Sequence, residues 1–80
     1  MSNRDKLVKI LKDINPDLDY EKETALVDDG LFDSLEVMTI VTEIDDRFHV
    51  EINPDDVVAE KFNSLESILG LIEKALQSEE

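Results

Sequence analysis

Asp33-Ser34-Leu35-Glu36 is the stretch of the chain whose residue types and spacing point to chemistry. Asp33 followed by Glu36 is a reciprocal capping pattern, in which each side chain accepts a hydrogen bond from the backbone N–H at the other end of the turn. A helix is therefore predicted to begin at Ser34, with Phe32 ahead of the cap and Val37 at the fourth helical position packing together to set the angle of entry. The Ser34 hydroxyl then lies at the positive end of the helix dipole, among N–H groups with no partner in the helix, a place that stabilises an attached phosphate. The chemistry that suits it is a phosphoserine ester. The plainer reading of the same residues is a helix cap alone.

The composition narrows the choice. Eighty residues suffice for one domain, 1–80, with a small core built from a few amphipathic elements. With no cysteine there is no disulfide framework and no thiolate metal site, and one histidine cannot form a histidine cluster. No nucleophile, base and orienting group stand together and no glycine-rich phosphate loop is present, so no catalytic residue and no metal ligand is assigned. Nothing resembles a targeting segment or a bilayer span, which predicts a soluble, cytoplasmic protein without stable membrane insertion.

Charge is the strongest compositional signal: 21 acidic against 8 basic side chains, a net −13. Residues 1–12 carry Arg4, Lys6, Lys9 and Lys12 against Asp5 alone, whereas residues 13–60 carry 16 acids against Lys22 and Arg47. Such a field repels nucleic acid and anionic lipid and steers partners with basic patches. A solvated or disordered acidic chain is the alternative, and periodic apolar positions argue against it.

The elements that position Ser34 follow from that periodicity. Ser2 and Asp5 cap a first helix over about residues 3–14, with Leu7, Ile10, Leu11 and Ile14 on one face, and Asn15-Pro16 ends it. A long loop to Asp33 is pinned by Leu18, Tyr20, Leu26, Val27, Leu31 and Phe32, and Asp28-Asp29-Gly30 turns it, with Gly30 free to adopt a positive φ. Asp17, Asp19 and Glu21 imitate the start of a calcium loop, but Lys22 stands where that loop needs glycine and Asp28 replaces its bidentate glutamate. A loose ion on Asp28 and Asp29 is left as an alternative to a solvated turn.

In the second helix Val37, Ile40, Val41, Ile44 and Phe48 form the core face. Leu35 groups with Thr39, Thr42 and Asp46 on the other side, Met38 borders the two, and Glu36, Glu43 and Asp45 add negative charge. Leu35 reads as a small apolar contact for a partner, although one exposed leucine is also unremarkable on a surface. His49 ends the helix and is assigned no chemistry. Asn53-Pro54 starts a short third helix over roughly 54–58, with Val57, Val58 and Phe62 facing the core. A fourth begins after Asn63, capped by that residue and Glu66, and its tail from Gln77 is expected to fray. The fold class is all-α: a four-helix bundle, three main helices plus a short third one, with a long loop between helices 1 and 2.

Phe62-Asn63-Ser64-Leu65-Glu66 nearly copies Phe32-Asp33-Ser34-Leu35-Glu36. The second copy has Ser67 where the first has Val37, and it lacks both the acidic flank and the exposed leucine, so Ser64 reads as helix-start chemistry and Ser34 as the functional site.

On Gly30, Asp33-Ser34-Leu35-Glu36, Phe48 and the order of helices, the whole chain resembles the acyl carrier protein family. The resemblance implies that Ser34, flanked by Asp33 and Leu35, receives 4′-phosphopantetheine from coenzyme A through a phosphopantetheinyl transferase and magnesium. It implies a monomer whose arm carries acyl groups as thioesters between enzymes of fatty-acid, polyketide or related biosynthesis, the reactive sulfur coming from the arm. Leu35, Glu36, Thr39, Thr42, Asp45 and Asp46 are the implied contacts for that transferase and for acyl- or aminoacyl-loading and transferring enzymes with basic patches. Thr39 replaces the acidic residue that fatty-acid carriers usually have, and Thr42 stands where a large apolar one is common. The approach Gly30-Leu31-Phe32-Asp33-Ser34 is similar to that of D-alanyl and some peptidyl carriers, so an aminoacyl carrier is one alternative. An unmodified acidic interaction module, with Ser34 purely structural, is another. Val37, Ile40, Val41, Val57, Phe62 and Ile68 offer either an interior for a long acyl chain or simply a filled core.

Overall fold

The computed structural model of the protein describes residues 2–78. Its elements are α1 (Asn3–Ile14), α2 (Ser34–Phe48) and α3 (Leu65–Ser78), with two 3-10 turns, Pro54–Asp56 and Ala59–Lys61, between α2 and α3. There is no strand among the described residues, and the all-α reading holds. The three main helices are as expected, but the four-helix count is loose: the short third helix expected over roughly 54–58 is a single 3-10 turn, Pro54–Asp56, followed by a second at Ala59–Lys61.

α1 starts where Ser2 Oγ accepts the Asp5 N–H at 3.1 Å, and ends at Asn15 just before Pro16. Leu7, Ile10 and Leu11 are buried on its inner face. From Asn15 to Asp33 the chain is irregular but fastened. Tyr20, Leu26 and Phe32 are buried, with Leu18, Val27 and Leu31 partly so. The Tyr20 hydroxyl is shared between the carbonyls of Leu11, at 2.9 Å, and Asn15, at 2.7 Å, so it closes the end of α1. Its ring stacks near-parallel on Phe32, centroids 6.0 Å apart.

α2 buries Val37, Ile40, Val41, Ile44 and Phe48, the face its spacing predicts. It ends on His49 in the left-handed region (φ 55), and the N–H groups of His49 and Val50 both reach Asp45 O. Beyond it, Val50 and Ile52 rejoin the core. Val57 and Val58 interrupt the next segment: Val58 is extended (φ −130, ψ 153), as suits a β-branched residue, and separates the two 3-10 turns. Phe62 is buried as expected and Val57 partly so, but Val58 faces solvent rather than the core, 44% exposed.

α3 begins one residue later than its sequence copy in α2. Ser64 Oγ accepts the Ser67 N–H at 3.2 Å while Ser67 Oγ accepts the Ser64 N–H at 3.3 Å, so the reciprocal cap is Ser64 with Ser67. Asn63, expected as the cap, turns instead to the loop before α2. Leu65, Ile68, Leu71 and Ile72 are buried, each contributing about 1.5–3 kcal/mol relative to exposure. Gln77 and Ser78 continue α3 where fraying was expected, and the last two residues of that stretch lie outside the described ones. Among the described residues no helix is long and apolar enough to cross a membrane.

Candidate carrier site at the head of α2

The site is built from the loop upward. Gly30 takes φ +76, donating its N–H to Val27 O at 3.0 Å, and Phe32 donates to Leu26 O at 2.9 Å. Phe32 is thereby buried over Tyr20, and the next residue, Asp33, emerges into solvent as the cap of α2. Glu36 N–H donates to Asp33 Oδ1 at 2.8 Å, and Asp33 N–H donates to Glu36 Oε1 at 3.2 Å, completing the capping box.

Ser34 follows as the first helical residue, exposed, and no hydrogen bond among the described residues engages its hydroxyl. The cap takes up the Glu36 N–H, and Val37 N–H returns to Asp33 O at 3.0 Å. The N–H groups of Ser34 and Leu35 stay available at the positive helix end. A phosphate ester on the Ser34 oxygen thus meets open space and unpaired donors. Ser64, the sequence copy, is half-buried, and its Oγ is engaged with Ser67. Leu65 after it is 1% exposed, whereas Leu35 after Ser34 is 77% exposed.

The expected contact residues divide. Leu35, Thr39, Thr42 and Asp46 are exposed together on α2. The hydroxyls of Thr39 and Thr42 donate one turn back, to Leu35 O at 2.9 Å and Met38 O at 3.0 Å, so they offer a partner no free donor. Glu36 is half-buried and occupied by the capping box. Asp45 is half-buried too, its Oδ1 accepting the Ile52 N–H at 3.0 Å, which makes it a staple for the chain after α2 rather than a free surface charge. Met38 and Val58 join Leu35 as the large apolar side chains left exposed; the inclusion of Val58 was not legible in the sequence.

Two titratable groups are perturbed, Tyr20 under the head of α2 and Asp56 in the segment that follows the helix. Burial, with the Glu36 carboxylate nearby, pushes the Tyr20 phenol up to about 12. Asp56, buried at the end of the first 3-10 turn, is held below the ordinary carboxylate range by a hydrogen bond from Lys61 and by the charges of Lys61 and Lys74, against the opposing effect of burial. Among the described residues no three acidic or histidine side chains are grouped to hold a metal ion, and Asp28 is occupied by Asn63.

An acidic helical domain that offers a serine hydroxyl at a helix head, with an apolar contact beside it, has the features that suit a carrier of a covalently attached group. A family model described as the phosphopantetheine attachment site matches residues 4–72, and the chain belongs to that family. Neither the curated proteins nor the solved structures compared with it yield a match. The family carries a covalent 4′-phosphopantetheine, is not itself catalytic, and works with a modifying transferase and with biosynthetic enzymes.

Proposed function

We propose that residues 1–80 form one cytoplasmic acyl carrier domain, with Ser34 as the attachment point of the arm. The observation that carries this reading is the contrast between the two serines: Ser34 is exposed and unengaged at the first position of α2, and Ser64 is tied into its own cap. Once attached, the arm supplies a flexible thiol on which an acyl group travels as a thioester. The chain's own residues do the rest. Asp33 and Glu36 fix the direction of the helix head. Leu35 provides an apolar contact, and exposed acids including Asp46 draw in enzymes with basic patches and release them readily.

Fatty-acid or polyketide intermediates are the proposed cargo. Thr39, its hydroxyl donated to Leu35 O, stands where fatty-acid carriers usually have an acid, which points to a different partner set, and the likeness of Gly30-Leu31-Phe32-Asp33-Ser34 to D-alanyl carriers makes a D-alanyl or other aminoacyl load the second reading. Val37, Ile40, Val41, Phe62 and Ile68 are packed as core, so a long acyl chain enters only if they part.

Intact-mass measurement after incubation with coenzyme A, magnesium and a phosphopantetheinyl transferase tests the site. The wild type and Ser64→Ala gain one arm, and Ser34→Ala gains none. A gain that persists in Ser34→Ala overturns the assignment, and a wild type that several transferases leave unmodified favours an unmodified interaction module. The mass of the species carried by protein from its native cell separates acyl from aminoacyl cargo.

A further inference from the structure

Asn63 ties the approach to Ser34 to the start of α3, using both ends of its side-chain amide. Its Oδ1 accepts the N–H groups of Val27 and Asp28, each at 3.0 Å, and its Nδ2 donates to Asp28 Oδ2 at 3.0 Å. Its own carbonyl accepts the Leu26 N–H at 2.8 Å. Three successive loop amides therefore end on one residue that is distant in sequence. The segment they hold is itself closed by Gly30 N–H to Val27 O and Phe32 N–H to Leu26 O. Phe32, the residue before the cap, is thus fixed relative to Leu26 and through it to Asn63. The Asp33–Glu36 box orients Ser34 on α2 but does not set where the incoming loop stands against α3.

We propose that Asn63 is a positioning residue for modification of Ser34, holding residues 26–32 so that the hydroxyl is offered where the transferase needs it. This rests on Ser34 being the attachment point. In the transfer, Ser34 Oγ bonds to the phosphorus that bears the pantetheine and the pyrophosphate linkage of coenzyme A breaks. Adenosine bisphosphate leaves, and the hydroxyl proton passes to solvent. Asn63 touches none of these atoms. Leu35, Thr39, Thr42 and Asp46 are exposed on α2 and make none of the Asn63 contacts. Loosening the tie lets residues 26–32 shift, and with Phe32 the cap residue Asp33 beside the hydroxyl, while Leu35, Thr39, Thr42 and Asp46 stay in place on α2, so kcat falls while KM for the carrier stays.

The pair can be reversed. Asn63→Asp replaces the amide donor with a carboxylate oxygen facing the Asp28 carboxylate, and adding Asp28→Asn restores a donor opposite an acceptor, with the loop N–H groups still accepted. Arm transfer by a phosphopantetheinyl transferase is measured for wild type, Asn63→Ala, Asn63→Asp and the double exchange, with Ile72→Val in α3 as a variant that loses stability only. Both single variants lower kcat about fivefold at unchanged KM, the worth of one or two hydrogen bonds. The double exchange returns to within about twofold of wild type, as a coupled pair requires. Unchanged kcat in the single variants, a rise in KM alone, an equal loss in Ile72→Val, or no recovery in the double exchange overturns the proposal. Should Asn63→Ala not fold, Asn63→Asp against the double exchange decides it. A wild type that takes no arm removes the Ser34 reading and this proposal with it, whereas normal wild-type kinetics with silent Asn63 variants removes only the latter.

Discussion

Asp33 and Glu36 exchange hydrogen bonds across the first turn of α2, at 2.8 and 3.2 Å, so the first helical residue, Ser34, is held at a helix head whose geometry both partners determine. Losing the cap acceptor in Asp33→Ala costs about 1 kcal/mol. For a domain of this size that lowers Tm by about 4–8 °C. Glu36→Gln keeps an acceptor for the Asp33 N–H and stays near wild type, whereas Glu36→Ala lies between the two. Thermal unfolding followed by circular dichroism gives the order; equal Tm for Asp33→Ala and wild type is incompatible with a working cap.

Tyr20 supplies an alkaline signature. Its phenol is raised to about 12 because burial and the Glu36 carboxylate disfavour the phenolate. A folded-state value above the unfolded one, about 10, means that the native state holds the proton more tightly. Its contribution to stability is therefore fully present below about pH 10 and is lost as pH rises towards 12. The chain has one tyrosine and no tryptophan, so phenolate absorbance reports this residue alone. The titration midpoint lies near 12 in the folded protein, and Tyr20→Phe, which leaves the Asn15 carbonyl without its hydroxyl donor, costs about 1–2 kcal/mol at neutral pH. A midpoint near 10 in folded protein contradicts the buried placement.

What the sequence made legible was local. Ser2 with Asp5, and Asp33 with Glu36, are caps completed within one turn, and the core face of α2 recurs at helical spacing, so both could be read from a short window. Gly30 was legible for the same reason. Asn63 was not. Its local pattern matches a cap, and only the folded loop, whose N–H groups arrive from residues 26–28, shows that its side chain is needed elsewhere while Ser64 caps α3. The pairing of Asp56 was equally out of reach, because Lys74 comes to it from α3, and so was the role of Asp45, whose Ile52 contact closes a bend after the helix. The exposure of Ser34 and Leu35, on which the site depends, follows from the capping register and the helical face, which is why it could be read in advance.

The two glycines respond in opposite directions to the same substitution. Gly30 has φ +76, where a side chain strains the backbone although a Cβ there would meet nothing within 4 Å. Gly30→Ala therefore costs about 1 kcal/mol from backbone strain alone. Gly70 lies inside α3, also with nothing within 4 Å of a Cβ, so Gly70→Ala removes unfolded-state freedom and stabilises by about 0.5–1 kcal/mol. Urea unfolding of both variants checks the pair, and changes of the same sign are inconsistent with the left-handed turn that leads to Phe32 and Asp33.

Asp56 gives the acid counterpart to Tyr20. Lys61 donates to its Oδ1, Lys74 lies 3.5 Å from Oδ2, and Glu51 lines the same cleft with Asn53 and Leu71. The lysines hold the carboxyl below its ordinary range, with the Lys61 hydrogen bond as the largest cause. A folded value below the unfolded one means that the contribution to stability is present above the unfolded value, about 4, and is lost as pH falls through the lower folded value. Asp56→Asn is accordingly less stable than wild type at neutral pH, because it removes the charged acceptor of the Lys61 hydrogen bond and the favourable charge near Lys74. The gap between the two proteins then begins to close below about pH 4, where Asp56 of the unfolded chain takes up its proton, and goes on closing as pH falls through the lower folded value. Comparing them at each pH cancels the relief of self-repulsion that acid brings to a chain of charge −13, so the difference isolates this contact. Paired urea-unfolding curves from pH 7 down to about pH 3 measure it; a gap that persists unchanged through that window shows that the lysines do not hold Asp56 ionised.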